Sequence, residues 1–150
     1  MKFHKAADTP GERETLRGLS GVYVIIESLD PEIGKGGLTT AQIRTDVELK
    51  LRLAGIKVLT EKEWLQTTGR PFLYVDIHAF KFDTSEVYIY HIGIQVYQEV
   101  VLIRAPQEEI FSATWKTWVL RKSGHIEDLR NRTKDGMDVF INTYLSVNPK

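Results

Sequence analysis

The run FLYVDIHAFKFDTSEVYIYHIGIQVYQEVVLI, residues 72–103, contains two strand-like segments on either side of one short polar turn. Residues 72–82 and 87–103 are rich in β-branched and aromatic side chains, and residues 83–86 read Asp-Thr-Ser-Glu. Two such segments around a turn predict an antiparallel hairpin. Because the turn sets the register of a hairpin, we expect residue 82 to stand opposite residue 87.

This register sorts the side chains of the hairpin into two unlike faces. The first face is aliphatic and is expected to join the core: Leu73, Val75, Ile77 and Ala79 opposite Val96, Ile94, Ile92 and Tyr90. The second, called the polar face below, mixes polar and aromatic residues: Tyr74, Asp76, His78, Phe80 and Phe82 opposite Gln95, Gly93, His91, Ile89 and Val87. Two faces of this kind are typical of an antiparallel sheet that is solvated on one side.

Three potential metal ligands share one patch of the polar face. His78 is expected directly opposite His91, and Asp76 lies one pair further along the ladder. Imidazole and carboxylate groups suit zinc, copper or nickel, so the patch is a candidate divalent-metal site or acid–base group. The alternative is an ordinary solvated sheet face, since three ligands are fewer than a stable protein site usually has.

The segments before the hairpin predict a β-α-β unit. Residues 21–27 read as a strand, residues 29–37 as a loop, and residues 56–59 as a short second strand, parallel to the first. Thr39 and Gln42 have the spacing of a capping box, so we expect a helix that begins after Thr39 and ends at Gly55. A second capping box, formed by Thr60 and Glu63, predicts a short helix over residues 61–66.

The segments after the hairpin predict one more strand and a long helix. Residues 112–120 are expected to pair antiparallel with the second hairpin strand, and residues 126–146 show the apolar spacing of a helix. Trp115 and Trp118 differ by three positions, so on a strand they point to opposite faces, one inward and one outward.

The fold class predicted from these elements is a two-layer α+β or α/β domain with a mixed sheet. Its expected order is β-α-β-(α)-β-β-β-α, with both long helices on one face of the sheet. Residues 1–18 are charged and contain Pro10 and Gly11, so we predict a flexible N-terminal tail there and a single domain over residues 19–150.

Composition excludes several function classes. Twenty basic residues balance twenty acidic ones, which argues against a nucleic-acid partner because such proteins need a basic surface. The chain has no cysteine, so disulfides, thiol nucleophiles and cysteine-ligated metals are excluded. No apolar run approaches the roughly 20 residues of a transmembrane segment. We find no cofactor motif and no assembled catalytic constellation, so we expect no cofactor and favour a non-enzymatic protein.

The chain resembles an uncharacterised bacterial family of small exported α/β proteins. Three stretches carry this resemblance: LRGLSGVYV at residues 16–24, TDVELKLR with AGIKVLT at residues 45–52 and 54–60, and FINTYLSVNP at residues 140–149. It departs from that family after Trp115, where the family tends to be glycine-rich and this chain reads KTWVLRK. The resemblance implies no catalytic residue, because none is known for the family.

The resemblance also implies a location. Members of the family usually begin with a signal peptide and look periplasmic, so Met1 would be an added start; a cytoplasmic protein is the alternative. Together these observations predict a non-enzymatic binding or assembly domain of the bacterial envelope. It would engage a protein partner, or a second copy of itself, through a sheet edge or an open sheet face. The expected contacts are Tyr74, Phe80, Phe82, Ile89 and Trp118.

Overall fold

A computed structural model describes residues 9–81 and 86–150, and over these residues it contains one mixed sheet and five helices. The strands are Tyr23–Ile26 (β1), Phe72–Lys81 (β2), Tyr88–Leu102 (β3) and Ala105–Ser123 (β4). The helices are Pro10–Glu14 (α1), Pro31–Lys35 (α2), Thr40–Leu53 (α3), Glu61–Gln66 (α4) and Glu127–Val147 (α5). The sheet order is β1-β2-β3-β4, so the predicted α+β fold with a mixed sheet is confirmed.

The long hairpin has the predicted register. β2 and β3 pair antiparallel from Phe72 opposite Tyr97 to Lys81 opposite Tyr88, and His78 stands opposite His91. Residues 82–85, which include most of the predicted turn, lie outside the described residues. β4 pairs antiparallel with β3, as predicted, but it is longer than residues 112–120.

The first strand has its predicted parallel neighbour over a single bridge, and its main neighbour is β2, which was not predicted. β1 pairs in parallel with β2, with Tyr23 beside Phe72 and Ile26 beside Val75. The segment 56–59 contributes only an isolated parallel bridge between Val22 and Val58. The segment is too short for more, because the chain turns directly into α4 at the capping residue Thr60.

The two capping boxes correctly predicted where α3 and α4 begin. The hydroxyl of Thr39 accepts a hydrogen bond from the Gln42 backbone N–H, and Thr60 accepts one from Glu63, which confirms both predicted capping boxes. The predicted loop over residues 29–37 instead contains α2, a five-residue helix that begins at Pro31. Proline is well suited to the first position of a helix, because it has no N–H to leave unpaired there.

Residues 9–18, which the sequence assigned to a flexible tail, are packed against the domain. Leu16 is fully buried, and its carbonyl oxygen accepts a hydrogen bond from the Asn148 side chain. Arg17 donates to the carbonyl oxygen of Val147 at the end of α5. Burial of the Leu16 side chain and these bonds join the segment to the C-terminal end of the chain.

The hydrophobic core lies against the aliphatic face of the sheet. It combines inward residues of β2, β3 and β4 with buried residues of both long helices, among them Leu73, Ile77, Ile92, Trp115, Ile43, Leu51, Met137 and Phe140. Trp115 is buried in contact with Phe140, whereas Trp118 is exposed, as their spacing predicted. Asp46 of α3 and Arg130 of α5 form an ion pair of 2.6 Å that joins the two helices. Among the described residues, no helix has the length and apolarity needed to span a membrane.

Candidate metal centre

The polar face brings the three predicted ligands together. Asp76 and His78 lie on β2, and His91 lies on β3 opposite His78, with the two ring centroids 6.4 Å apart. The Nδ1 atom of His91 is 3.1 Å from Asp76 Oδ2, and the Nε2 atom of His78 is 3.8 Å from the same oxygen. Asp76 Oδ2 therefore lies between the two imidazole rings.

Two further carboxylates complete the cluster, and both come from the segment after β1. The backbone N–H of Glu27 donates to the carbonyl oxygen of Val75, which holds Glu27 beside β2. Glu27 Oε2 is 3.2 Å from His78 Nε2, and Asp30 Oδ2 is 3.5 Å from His78 Nδ1. Each nitrogen of the His78 ring therefore has a carboxylate beside it.

Glu27, Asp76 and His78 have the spacing of a metal-binding group. Each offers one ligand atom, and these three atoms all lie within 4.8 Å of one another. Zinc binds such ligands at about 2.0–2.2 Å, which places neighbouring ligand atoms roughly 3–3.5 Å apart. Only small side-chain movements would therefore bring the three atoms around one ion.

The Asp76 carboxylate is the most buried member of the cluster, with 6% of its residue surface exposed. Its Oδ1 atom accepts a hydrogen bond of 3.2 Å from Gln95 Nε2, and the Tyr97 hydroxyl donates to Gln95 Oε1. Gly93 stands opposite Asp76 on β3, and a Cβ atom there would lie only 2.9 Å from Asp76 Cγ. The absence of a side chain at Gly93 gives the carboxylate its room.

Tyr74 holds the second carboxylate of the cluster. Burial, followed by a hydrogen bond with Glu27, raises the pKa of Tyr74 to about 12. The hydroxyl keeps its proton at neutral pH and donates a hydrogen bond to the Glu27 carboxylate. Outer hydrogen bonds of this kind orient the ligands of protein metal sites.

The residues predicted to contact a partner have different surroundings. Phe80 is 72% exposed, and Trp118 is exposed with one face stacked on the His91 ring at 6.2 Å. Tyr74 and Ile89 are half-buried, and Tyr74 is engaged with Glu27. Phe82 lies outside the described residues.

Sequence analysis missed Glu27 and Asp30. The sequence predicted residues 56–59 as the parallel neighbour of the first strand but did not predict β2 as its other neighbour, so Glu27 was not connected with the hairpin. A weak signal was present, since Glu27 and Asp30 are acidic residues that directly follow a strongly apolar strand. No local pattern gives the register of a parallel strand pair, so this signal could not connect them with His78.

Models of known protein families, curated proteins and solved structures were compared with the chain, and none of them matches. The resemblance to exported bacterial proteins therefore stays a prediction.

Proposed function

We propose that this protein binds a divalent transition-metal ion on the polar face of its sheet, through Glu27, Asp76 and His78. The observation that supports this proposal is the convergence of three ligand atoms within 4.8 Å of one another. A site with one imidazole and two carboxylates suits zinc, copper or nickel. The two carboxylates would also balance the charge of a divalent ion.

The surrounding residues support this role in two ways. Gln95 and Tyr74 hold the Asp76 and Glu27 carboxylates by hydrogen bonds, which reduces the freedom that the ligands lose when an ion binds. His91 lies 3.1 Å from Asp76 Oδ2 and is placed to donate to that oxygen or to become a fourth ligand. Part of the His78 ring is exposed, so the remaining coordination positions would face solvent.

The test is metal binding by protein that has been purified without an affinity tag. Titration calorimetry with Zn²⁺, Cu²⁺ and Ni²⁺ should show one site per chain. We expect His78→Gln and Asp76→Asn each to weaken binding by roughly tenfold or more, as loss of metal-site residues commonly does.

The matched control is His125→Gln, because His125 is an exposed histidine in the turn before α5, outside the cluster. This variant should bind the ion as the parent chain does. Equal affinities for the parent, His78→Gln and His125→Gln chains would refute the proposal.

A second candidate function is the binding domain of the bacterial envelope that the sequence predicts. The observation that favours it is the exposure of Phe80, Trp118 and Leu120, all large apolar residues on the polar face. A protein partner would cover them, because exposed apolar patches commonly mark interaction sites. Capture of a specific envelope protein by the parent chain, and its loss with Phe80→Ser, is the expected result. Equal capture by both chains would exclude this surface.

A further inference from the structure

β4 forms one edge of the sheet, and no strand within residues 9–81 and 86–150 pairs with its other side. It is 19 residues long. A long edge strand presents backbone donors and acceptors that can pair with another chain. Its outer side is therefore a candidate interface, although the carbonyl oxygen of Thr114 already accepts a hydrogen bond from the Thr15 hydroxyl.

The charges of β4 are divided between its two halves. Glu108 and Glu109 lie in the first half, and Lys116, Arg121 and Lys122 lie in the second. If two copies paired through the same half, like charges would face each other, which is destabilising. If the first half of each copy paired with the second half of the other, acidic residues would face basic ones.

We propose that a second copy of this chain pairs antiparallel along β4, about a two-fold axis near Thr114 and Trp115. The two four-stranded sheets would then form one continuous sheet. Because a two-fold axis makes the interface self-complementary, every contact would occur twice. Formation of this dimer would not require a bound metal ion.

A β-bulge in β4 limits the registers that are possible. Trp115 pairs with Val96 but Ala113 pairs with Tyr97, so the side-chain alternation shifts at Thr114. Phe111, which pairs with Glu99, and Trp118, which pairs with Gly93, therefore both lie on the polar face. Strand alternation from Glu109 and Leu120 places Glu108 and Arg121 on the other face. Paired strands must match face to face, and several registers that differ by two residues meet this condition. Among them we choose the one that sets acidic Glu108 opposite the partner's basic Arg121, which also sets Phe111 opposite the partner's Trp118.

The end of the hairpin between β3 and β4 supports the same arrangement. β2 pairs with β3 only as far as Tyr97, so residues 98–112 continue as a two-stranded ribbon. Residues 106–111 are all exposed, and Ile110 is 47% exposed. The base of this ribbon is packed, since Phe111 contacts Trp64 and Phe72 and Arg70 pairs with Glu99. The tip is a two-stranded ribbon, which is marginally stable alone. In the proposed dimer, residues 106–112 lie along residues 117–123 of the partner subunit, which belong to the full sheet.

A disulfide test is direct, because the chain has no cysteine of its own. The proposed register places Glu109 opposite the partner's Leu120, with Cβ atoms about 4.5–5.5 Å apart, close to the separation that a disulfide needs. Glu109→Cys combined with Leu120→Cys should therefore give a covalent dimer on mild oxidation. Glu109→Cys combined with Lys116→Cys is the mismatched control and should stay largely monomeric on a denaturing gel. Equal crosslinking of the two double variants would overturn the proposal. So would the absence of crosslinking in the variant that combines Glu109→Cys with Leu120→Cys.

Light scattering coupled to size exclusion, at several protein concentrations, tests the same interface without cysteines. The parent chain should be a dimer, and Glu108→Lys should raise its dissociation constant by roughly tenfold or more. Glu108→Lys with Arg121→Glu should recover most of that loss, whereas the control Glu61→Lys, an exposed position on α4, should change little. A monomer at every concentration, or a dimer that Glu108→Lys leaves unchanged, would overturn the proposal.

Discussion

At the scale of single residues, the candidate site depends on a glycine. Gly93 faces Asp76 across the β2–β3 pair, and the carboxylate occupies the space that a side chain at residue 93 would take. The result is a buried carboxylate beside two histidines on a sheet face that is otherwise partly solvated. Sequence analysis placed both residues correctly but could not show that one makes room for the other.

Gly93→Ala should lower the free energy of unfolding by about 1–3 kcal/mol, because an added methyl group would force the Asp76 carboxylate to move. Urea unfolding measures this change. Gly124→Ala is the matched control, since a Cβ atom there would meet nothing closer than 3.9 Å. Equal stabilities of the two variants would show that Asp76 has more space than the structure gives it.

At the scale of elements, α3 and α5 are joined by a charged contact. Arg130 donates two hydrogen bonds to Asp46, at 2.6 and 3.1 Å, and Lys134 lies 3.6 Å from the same carboxylate. The hydrogen bonds from Arg130, with the nearby charges, hold the pKa of Asp46 below its ordinary value. A lowered pKa means that the folded state favours the charged carboxylate.

Asp46→Asn should lower the free energy of unfolding at pH 7 by about 1–3 kcal/mol, since it removes charge-assisted hydrogen bonds. The contribution of Asp46 is complete above the ordinary aspartate pKa of about 3.9 and is lost as the pH falls through the lower folded value. The difference between parent and variant should therefore shrink between pH 5 and pH 2, as followed by urea unfolding at each pH.

The control for this experiment is Asp135→Asn, because Asp135 pairs with Arg132 on the exposed surface of α5. An exposed pair contributes little, so this variant should stay within about 0.5 kcal/mol of the parent chain at pH 7. A difference between Asp46→Asn and the parent that does not depend on pH would contradict the assignment.

At the scale of the whole molecule, the two ends of the described chain are packed together. Gly18 donates its backbone N–H to the Asn148 side chain, and the Tyr144 hydroxyl donates to the carbonyl oxygen of Leu19. Leu16 is fully buried in the same region. The domain therefore begins before residue 19, which was predicted to be its first residue.

Leu16→Ala should lower the free energy of unfolding by about 2–5 kcal/mol, because it leaves a cavity in the core. Thermal or urea unfolding measures the change. Leu53→Ala is the matched control, since Leu53 is 78% exposed and its truncation should cost no more than about 0.5 kcal/mol. A small effect of Leu16→Ala would contradict the packing of residues 9–18 against the domain and would support the predicted flexible tail.

The features that the sequence predicted correctly depend on local interactions. The hairpin register follows from one turn and the alternation of side chains, and it placed His78 opposite His91. The starts of α3 and α4 follow from capping boxes that span three residues each. In every case the residues that decide the structure are close together in the chain.

The features that it could not predict depend on contacts between distant segments. Glu27 and His78 meet because β1 pairs in parallel with β2, and no short pattern specifies the neighbour or register of a parallel strand. The burial of Leu16 depends likewise on the end of α5. Local hydrogen bonds and side-chain alternation therefore determined the helices, the strands and the first three candidate ligands. The long-range fit of apolar surfaces decided the order of the strands, and this order brings Glu27 and Asp30 to the site.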